Sequence, residues 1–360
     1  MPIITSIDIK PFRARLLQPF RTSLGTHERL ENILFSVTLD NGLQGHGEAA
    51  VATHITGETF DGTLKNLEKA RSFCEGKEIG GFEEIAGKCQ RAFPNNPAAT
   101  AAAETALLDA FTRSRNIPLW RYFGTSAKVL RSDITLVLSD LRQTQHSAKK
   151  FYAQGFRAFK VKIGHDLDLD IRRLLAIKKL VPRCRLIVDA NQGYTSGETM
   201  KLLQALEKNR VRIDLLEQPV RKDDWEGLRK ISRSTSVPVC ADESVCTFED
   251  TQKAVKFQLA PAINIKIMKC GLLQAQRIAR LARKNNIKLM IGGMMETSLA
   301  MTASAHLAAG LGGFDFIDLD TPFFIKGAVK RNPYLSGNGR YDLKKVKAGI
   351  GISPDQLYDP

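Results

Sequence analysis

From about residue 130 onward, short apolar runs recur at intervals of roughly 25 residues, with amphipathic stretches between them. The runs occupy 134–138, 158–163, 186–189, 213–217, 237–241, 263–267, 288–292 and 314–319. Runs apolar on both faces predict parallel strands covered by helices, and 168–180 and 273–284 carry helical periodicity. Eight strands alternating with helices predict an α/β fold, a (β/α)8-type TIM barrel rather than an open sheet. A barrel with seven regular units satisfies the pattern as well.

The first third of the chain reads differently. Residues 2–10, 32–40 and 43–48 predict a three-stranded meander, with Asp40-Asn41-Gly42 as the turn between the last two strands. Polar stretches at 18–30 and 49–59 read as loops, and helical patterns follow at 60–73, 82–92 and 97–115. Within the last, Ala98-Ala-Thr-Ala-Ala-Ala-Glu104 is small enough for close packing. The expected organisation is an α+β capping domain at 1–125 and a barrel at 126–322. A segment at 323–360, rich in Gly, Pro and Lys, returns to the first domain.

Composition narrows the class. A chain of 360 residues with 43% hydrophobic and 25% charged residues suits a two-domain globular enzyme. No apolar stretch approaches the ~20 residues that span a bilayer, and the start lacks a basic-then-apolar leader, so a cytoplasmic location is expected. The six cysteines form no CxxC pair and several lie in apolar runs, as reduced buried thiols do. The net charge of +15 comes as scattered doublets such as Lys149-Lys150 and Lys344-Lys345 without interleaved aromatics. It reads as a solvated basic surface with no nucleic-acid or membrane partner. A non-catalytic, basic nucleic-acid-binding barrel is the alternative from another class.

The chemistry sits where the strands end. Asp189, Glu217 and Asp242 close three successive strands, and Lys266 follows one unit later. In a barrel these ends converge on one mouth. Carboxylates ~4 Å apart at an effective dielectric of about 20 repel by roughly 4 kcal/mol per pair, so a cation is expected among them. Oxygen donors without His or Cys favour Mg2+. Lys160 and Lys162, two apart on the second strand, share a face. With Lys266 across the mouth, they suggest a proton removed from one face of a carbon and returned to the other, nearby positive charge lowering a lysine toward the range of a general base. Asp318 and Asp320 end the eighth strand, where they could bind a cation carried by the substrate. No P-loop, Gly-x-Ser-x-Gly or His-Glu-x-x-His is present, and no His follows the seventh strand in Ile291-Gly-Gly-Met-Met-Glu-Thr297.

These residues lie in motifs that resemble the enolase superfamily, in its muconate-lactonizing-enzyme-like branch, and within it the dipeptide epimerases of the Ala-Glu epimerase type. The motifs are Lys160-Val-Lys162, Val188-Asp-Ala-Asn191, Leu216-Glu-Gln-Pro219, Ala241-Asp-Glu-Ser244, Asn264-Ile-Lys266 and Asp318-Leu-Asp320. The likeness runs from Gln18-Pro-Phe-Arg-Thr22 to the tail. The resemblance implies one Mg2+ per subunit on Asp189, Glu217 and Asp242, binding the carboxylate of a dipeptide. Lys162 and Lys266 would exchange the α-proton of its C-terminal residue through an enediolate stabilised by Lys160. Asp318 and Asp320 would hold the α-ammonium, and Thr135 and Met294 match substrate-contact positions. A homo-oligomer is compatible with the family. The acidic pair favours this reading over muconate cycloisomerase and o-succinylbenzoate synthase, whose substrates carry no ammonium, and the missing His sets aside sugar-acid dehydratases. The alternative within the superfamily is a muconate/chloromuconate-type cycloisomerase, o-succinylbenzoate synthase or N-acylamino acid racemase.

One departure bears on the substrate. Similar Ala-Glu epimerases carry an arginine in the first capping loop for the glutamate side chain, and the matching position here is Gly25. Losing such a bond removes roughly 1.5–3 kcal/mol, unless Arg21, His27 or Arg29 compensates. Ala52 and Met295 occupy positions that are acidic in cation-selective relatives. A second residue other than, or not only, Glu is expected. Gly271-Leu272 replaces a common Gly-Gly, with little consequence expected.

Overall fold

The computed structural model describes residues 1–125 and 129–357; position 126, where the barrel domain is expected to begin, and the tail's 358–360 lie outside the described residues. Strands β1 (Ile4–Thr22), β2 (Gly25–Leu39) and β3 (Gln44–Ala50) form an antiparallel meander in that order. Gly42 takes φ +81° in the β2–β3 turn, a left-handed conformation that favours glycine. The stretch 18–30 is not the expected loop. It is the distal part of a long β1–β2 ribbon, paired through Phe20↔His27 and Thr22↔Gly25. Its side chains are mostly exposed or half-buried on both faces, so the period-two apolar signal that marks a strand is missing. In the second expected loop, β3 runs on to Ala50 and a one-turn helix occupies Thr53–Thr56.

Helices Phe60–Cys74, Phe82–Ala92 and Pro97–Ser114 follow, as the periodicity predicts. The third begins on Pro97, with the Asn96 side chain accepting the Ala99 N–H. Its alanines bring it directly onto β3: a Cβ at Gly45 would overlap the backbone at Ala106 and Ala110, and one at Gly47 that at Ala102.

After β4 (Val129–Arg131), eight parallel strands form one sheet in sequential order. They are β5 (Ile134–Leu136), β6 (Ala158–Lys162), β7 (Arg185–Asp189), β8 (Leu215–Glu217), β9 (Val239–Ala241), β10 (Ala262–Ile265), β11 (Lys288–Ile291) and β12 (Phe316–Ile317). At the seam the Asp133 N–H donates to Ile317 O and the Leu319 N–H to Ser132 Oγ, both at 2.8 Å. This is the predicted barrel, all its strands but β7 shorter than the apolar runs. β13 (Arg340–Asp342) returns to pair with β4.

Inside the sheet Ile187, Leu215, Cys240, Ala262, Met290 and Phe316 form their own apolar cluster. Two residues further along those strands or their ends stand Asp189, Glu217, Asp242, Asn264 and Asp318. Alternation turns these polar groups to the same interior, above an apolar floor.

The two parts are tied by buried acids. Asp109 accepts the N–H groups of His46 (2.9 Å) and Ile350 (2.7 Å), joining β3 to the tail. Glu104, on Pro97–Ser114, accepts the Leu273 N–H at 2.9 Å and so caps the barrel helix Leu272–Lys284. A Cβ at Gly271, which sits at φ +85°, would come within 2.6 Å of the Glu104 carboxylate. Glycine is therefore needed at 271 but not at the next position.

Burial pushes Glu104 up to about 7 against these N–H bonds. The unfolded chain gives up this proton near pH 4.5 and the folded chain near 7, so the contribution of Glu104 to stability falls between those values and is level above them. Glu104→Gln should flatten that window. Measured by urea unfolding, its stability relative to wild type should rise by on the order of 3 kcal/mol from about pH 4 to about pH 8. An unchanged difference would contradict the assignment.

All six cysteines are free, and Cys246 alone is less than fully buried. No helix of the described residues is long and apolar enough to cross a membrane.

Candidate active site

Lys162, Asp189 and Glu217 are register neighbours across β6, β7 and β8. The Lys162 Nζ lies 2.6 Å from Asp189 and 2.9 Å from Asn191 Oδ1. Lys160, from the same face of β6, reaches Asp318 at 2.6 Å, Glu217 at 2.9 Å and Asp189 at 3.1 Å. Lys266, one residue past β10, donates to Asp242 Oδ2 at 2.6 Å, while Lys269 holds Oδ1 at 2.7 Å and three backbone carbonyls. Asp189, Glu217 and Asp242 are wholly buried, with the ammonium groups of these lysines between and around them.

The electrostatics follow from that interleaving. Burial opposes ionisation of Asp242, yet Lys266, Lys269 and Lys160 outweigh it and hold the carboxyl well below the usual range. Asp189 is held low against burial by Lys162 and Lys160. Glu217 is pushed up to about 8 by burial and the Asp189 charge. Among the lysines, burial favours the neutral form, but surrounding carboxylates prevail and raise Lys160 and Lys266. The expected lowering of a base by neighbouring cations is thus reversed at Lys266, which faces Asp242.

A hard divalent ion suits this donor set. The three acids are all-oxygen ligands on successive strand ends. Glu217 Oε2 has an ammonium nearby but no aligned hydrogen bond, and Glu243 Oε2, beside them, lacks a donor among the described residues.

Sequence reasoning missed several partners. Asn264 Nδ2 donates to Glu217 at 2.8 Å. It lies two residues before Lys266, where alternation could have found it. Gln218, at φ +32°, accepts the Asp242 N–H and donates to Ser244 Oγ, locking the ends of β8 and β9 together. This gives the Glu-Gln-Pro motif its physical meaning. Lys269 lies on a one-turn helix and Asp133 just ahead of β5, positions that strand periodicity does not address.

Above the acids opens a cavity of about 680 Å3. Thr135, Lys160, Lys162, Lys266, Met294, Asp318 and Asp320 all line it from the barrel. Phe20, Leu24, His27, Ala52, His54, Ile55 and Phe60 close it from the first domain, with Met295 and Met301 alongside. His27 and His54 face each other at 5.1 Å between ring centroids, and burial lowers both. Arg29 lines the rim and is exposed; Arg21 and Gly25 are not among the lining residues. Ser23, at the ribbon tip, donates to the carbonyls of Ala190 and Asn191 at 2.8 Å, docking the ribbon on the mouth.

A second acid group stands at the seam. Asp133, Asp318 and Asp320 each place a carboxylate oxygen within 4.8 Å of the others, another arrangement that could hold a cation. Asp318 takes the Lys160 ammonium and Asp320 the Thr135 N–H, each at 2.6 Å.

Residues 6–124 match the mandelate racemase/muconate lactonizing enzyme N-terminal domain, and residues 143–358 the enolase C-terminal domain-like family. The chain is 45% identical, over 95% of each protein, to a hydrophobic dipeptide epimerase of Citrifermentans bemidjiense. A dipeptide epimerase from Enterococcus faecalis V583, solved with Mg and the dipeptide L-Leu-L-Tyr, is 32% identical, with TM-score 0.92 over 98% of this chain and 99% of that one. A substrate-liganded L-Ala-D/L-Glu epimerase from Bacillus subtilis is 32% identical, with TM-score 0.94 over 97% and 98%. With both domains matched and the mouth so equipped, the chain belongs to the enolase superfamily, in its mandelate racemase/muconate lactonizing enzyme group and among the dipeptide epimerases.

Proposed function

We propose that this protein is a Mg2+-dependent isomerase that inverts the α-carbon of the C-terminal residue of a dipeptide. The observation that carries the reading is the placement of Lys162 on β6 and Lys266 after β10. Both line one cavity, from strands four places apart in the eight-stranded sheet, and Asp318 and Asp320 line it too, which supports a base on either side of the substrate. Residues 1–125 serve as the cap, 126–322 as the barrel, and 323–360 as the returning segment.

Asp189, Glu217 and Asp242 would hold one Mg2+ per subunit. When bound, the ion supplies charge that draws in the substrate carboxylate and eases ionisation of the adjacent C–H bond. It would also compete with the lysines for these carboxylates, weakening the pairing that keeps Lys266 protonated. One lysine then takes the α-proton while the other, protonated, delivers one to the opposite face. Lys160, held between Asp318, Glu217 and Asp189, meets the negative charge that grows on the substrate carboxylate. Asp318 and Asp320 receive the α-ammonium, with Thr135 and Met294 beside them.

The cap side of the cavity favours an uncharged second residue. Phe20, Leu24, Ile55 and Phe60 face it, His27 and His54 favour the neutral form, and no arginine stands at Gly25. In D2O with Mg2+, proton NMR should show α-proton exchange at the second residue of L-Ala-L-Leu and L-Ala-L-Phe. Exchange in L-Ala-L-Glu should be roughly ten- to a hundredfold slower. A full dipeptide panel without exchange would overturn the assignment.

A further inference from the structure

Asp133 is a buried acid, 1% exposed, that the mechanism does not use. It lies immediately before β5 at the barrel seam, where its backbone N–H is spent on Ile317 O. Its side chain has no such partner. Among the described residues neither Oδ1 nor Oδ2 meets a hydrogen-bond donor. The nearby donors are engaged elsewhere: Lys160 with Asp318, Asp189 and Glu217, and the Thr135 N–H with Asp320.

Leaving a buried carboxylate with two unsatisfied oxygens beside two further carboxylates is costly on two counts. The desolvated charge lacks a compensating bond, and like charges at this spacing repel. A proton removes both costs, because a carboxylic acid can donate to a neighbouring carboxylate.

We propose that Asp133 is a positioning residue, a neutral carboxylic acid whose O–H donates to Asp318 and orients the Asp318–Asp320 pair toward the substrate ammonium. Asp318 and Asp320 line the cavity and Asp133 does not, so it acts through them. Burial first, then the charges of Asp318 and Asp320, raise Asp133 well above the ordinary carboxylate range, in keeping with the geometry. Three ionised acids would instead make this corner a trap for small metal cations. A neutral Asp133 leaves two charges, one facing Lys160, and a single ammonium completes the balance.

The ammonium part of this inference rests on the dipeptide reading; the proton on Asp133 does not. Asp133→Asn keeps a donor toward Asp318 and cannot ionise, whereas Asp133→Ala removes the donor. With L-Ala-L-Leu, Asp133→Asn should stay within about threefold of wild type in KM, and Asp133→Ala should raise KM at least tenfold with kcat little changed. In the enzyme with Mg2+ but without substrate, infrared difference spectra should show a protonated-carboxyl band at neutral pH that Asp133→Asn lacks.

Three outcomes overturn the proposal. The first is an Asn variant as impaired in KM as the Ala variant, which would make Asp133 an anionic ligand. The second is an Asp133→Asn variant that keeps the full protonated-carboxyl absorption of wild type. The third is a second divalent ion bound by wild type and lost in Asp133→Asn, which would make the triad a metal site. If wild type turns over no dipeptide but shows a band that Asp133→Asn lacks, the dipeptide reading fails while the protonated Asp133 stands.

Discussion

Lys162→Ala and Lys266→Ala should each lower epimerisation by about 10²–10⁴-fold, the range for loss of a positioned acid or base, yet each should retain half of the exchange chemistry. With Lys266 gone, solvent deuterium should still enter the epimer whose α-hydrogen faces Lys162, and the converse should hold for Lys162→Ala. The structure makes these variants informative because neither strands a buried carboxylate. Asp242 keeps Lys269 when Lys266 is removed, and Asp189 keeps Lys160 when Lys162 is removed. Proton NMR in D2O, run separately on the L,L and L,D substrates, reads the result. Exchange lost for both epimers in either variant would sink the two-sided arrangement.

Chelation of divalent ions should abolish exchange and leave the protein folded. Asp189, Glu217 and Asp242 would repel one another as a bare triad, but Lys160, Lys162, Lys266 and Lys269 stand among them. The acids therefore do not need an added cation to tolerate burial. A ligand at a hundred times its Kd stabilises by about 2.7 kcal/mol, which in a chain of this size shifts Tm by no more than about 10 °C. Scanning calorimetry with and without EDTA tests this alongside the exchange assay. Loss of a cooperative transition on chelation would mean that the lysines do not provide the compensation. Restored Mg2+ should return activity in full.

How much of this could be read from the chain depended on whether the feature had a period. The barrel strands were legible because both faces are apolar, and the acids because each closes such a run. Lys160 and Lys162 were legible as a pair because two residues is the repeat of a strand. The β1–β2 ribbon tip was not, because residues satisfied by cross-strand backbone bonds and wetted on both faces leave no apolar alternation. Lys269, Glu104 and Asp133 were hidden for another reason. Each acts across a tertiary contact: Lys269 on the end of β9, Glu104 on a helix more than 160 residues away, Asp133 on the far side of the seam. No local spacing encodes such meetings. Gly271 was visible as a departure in its neighbour, but its meaning appeared only with the Glu104 carboxylate lying against it.

The helix Pro97–Ser114 is pressed onto β3 without room for a single added methyl at Gly45 or Gly47, and it grips the barrel through Glu104. A side chain at Gly45, Gly47 or Gly271 would therefore force this helix off the strand or off the barrel. The overhanging rim instead presents Leu24, His27, His54 and Ile55 to the cavity. Single exchanges at these rim positions would reshape what the cavity accepts while leaving the lysines and acids below in place.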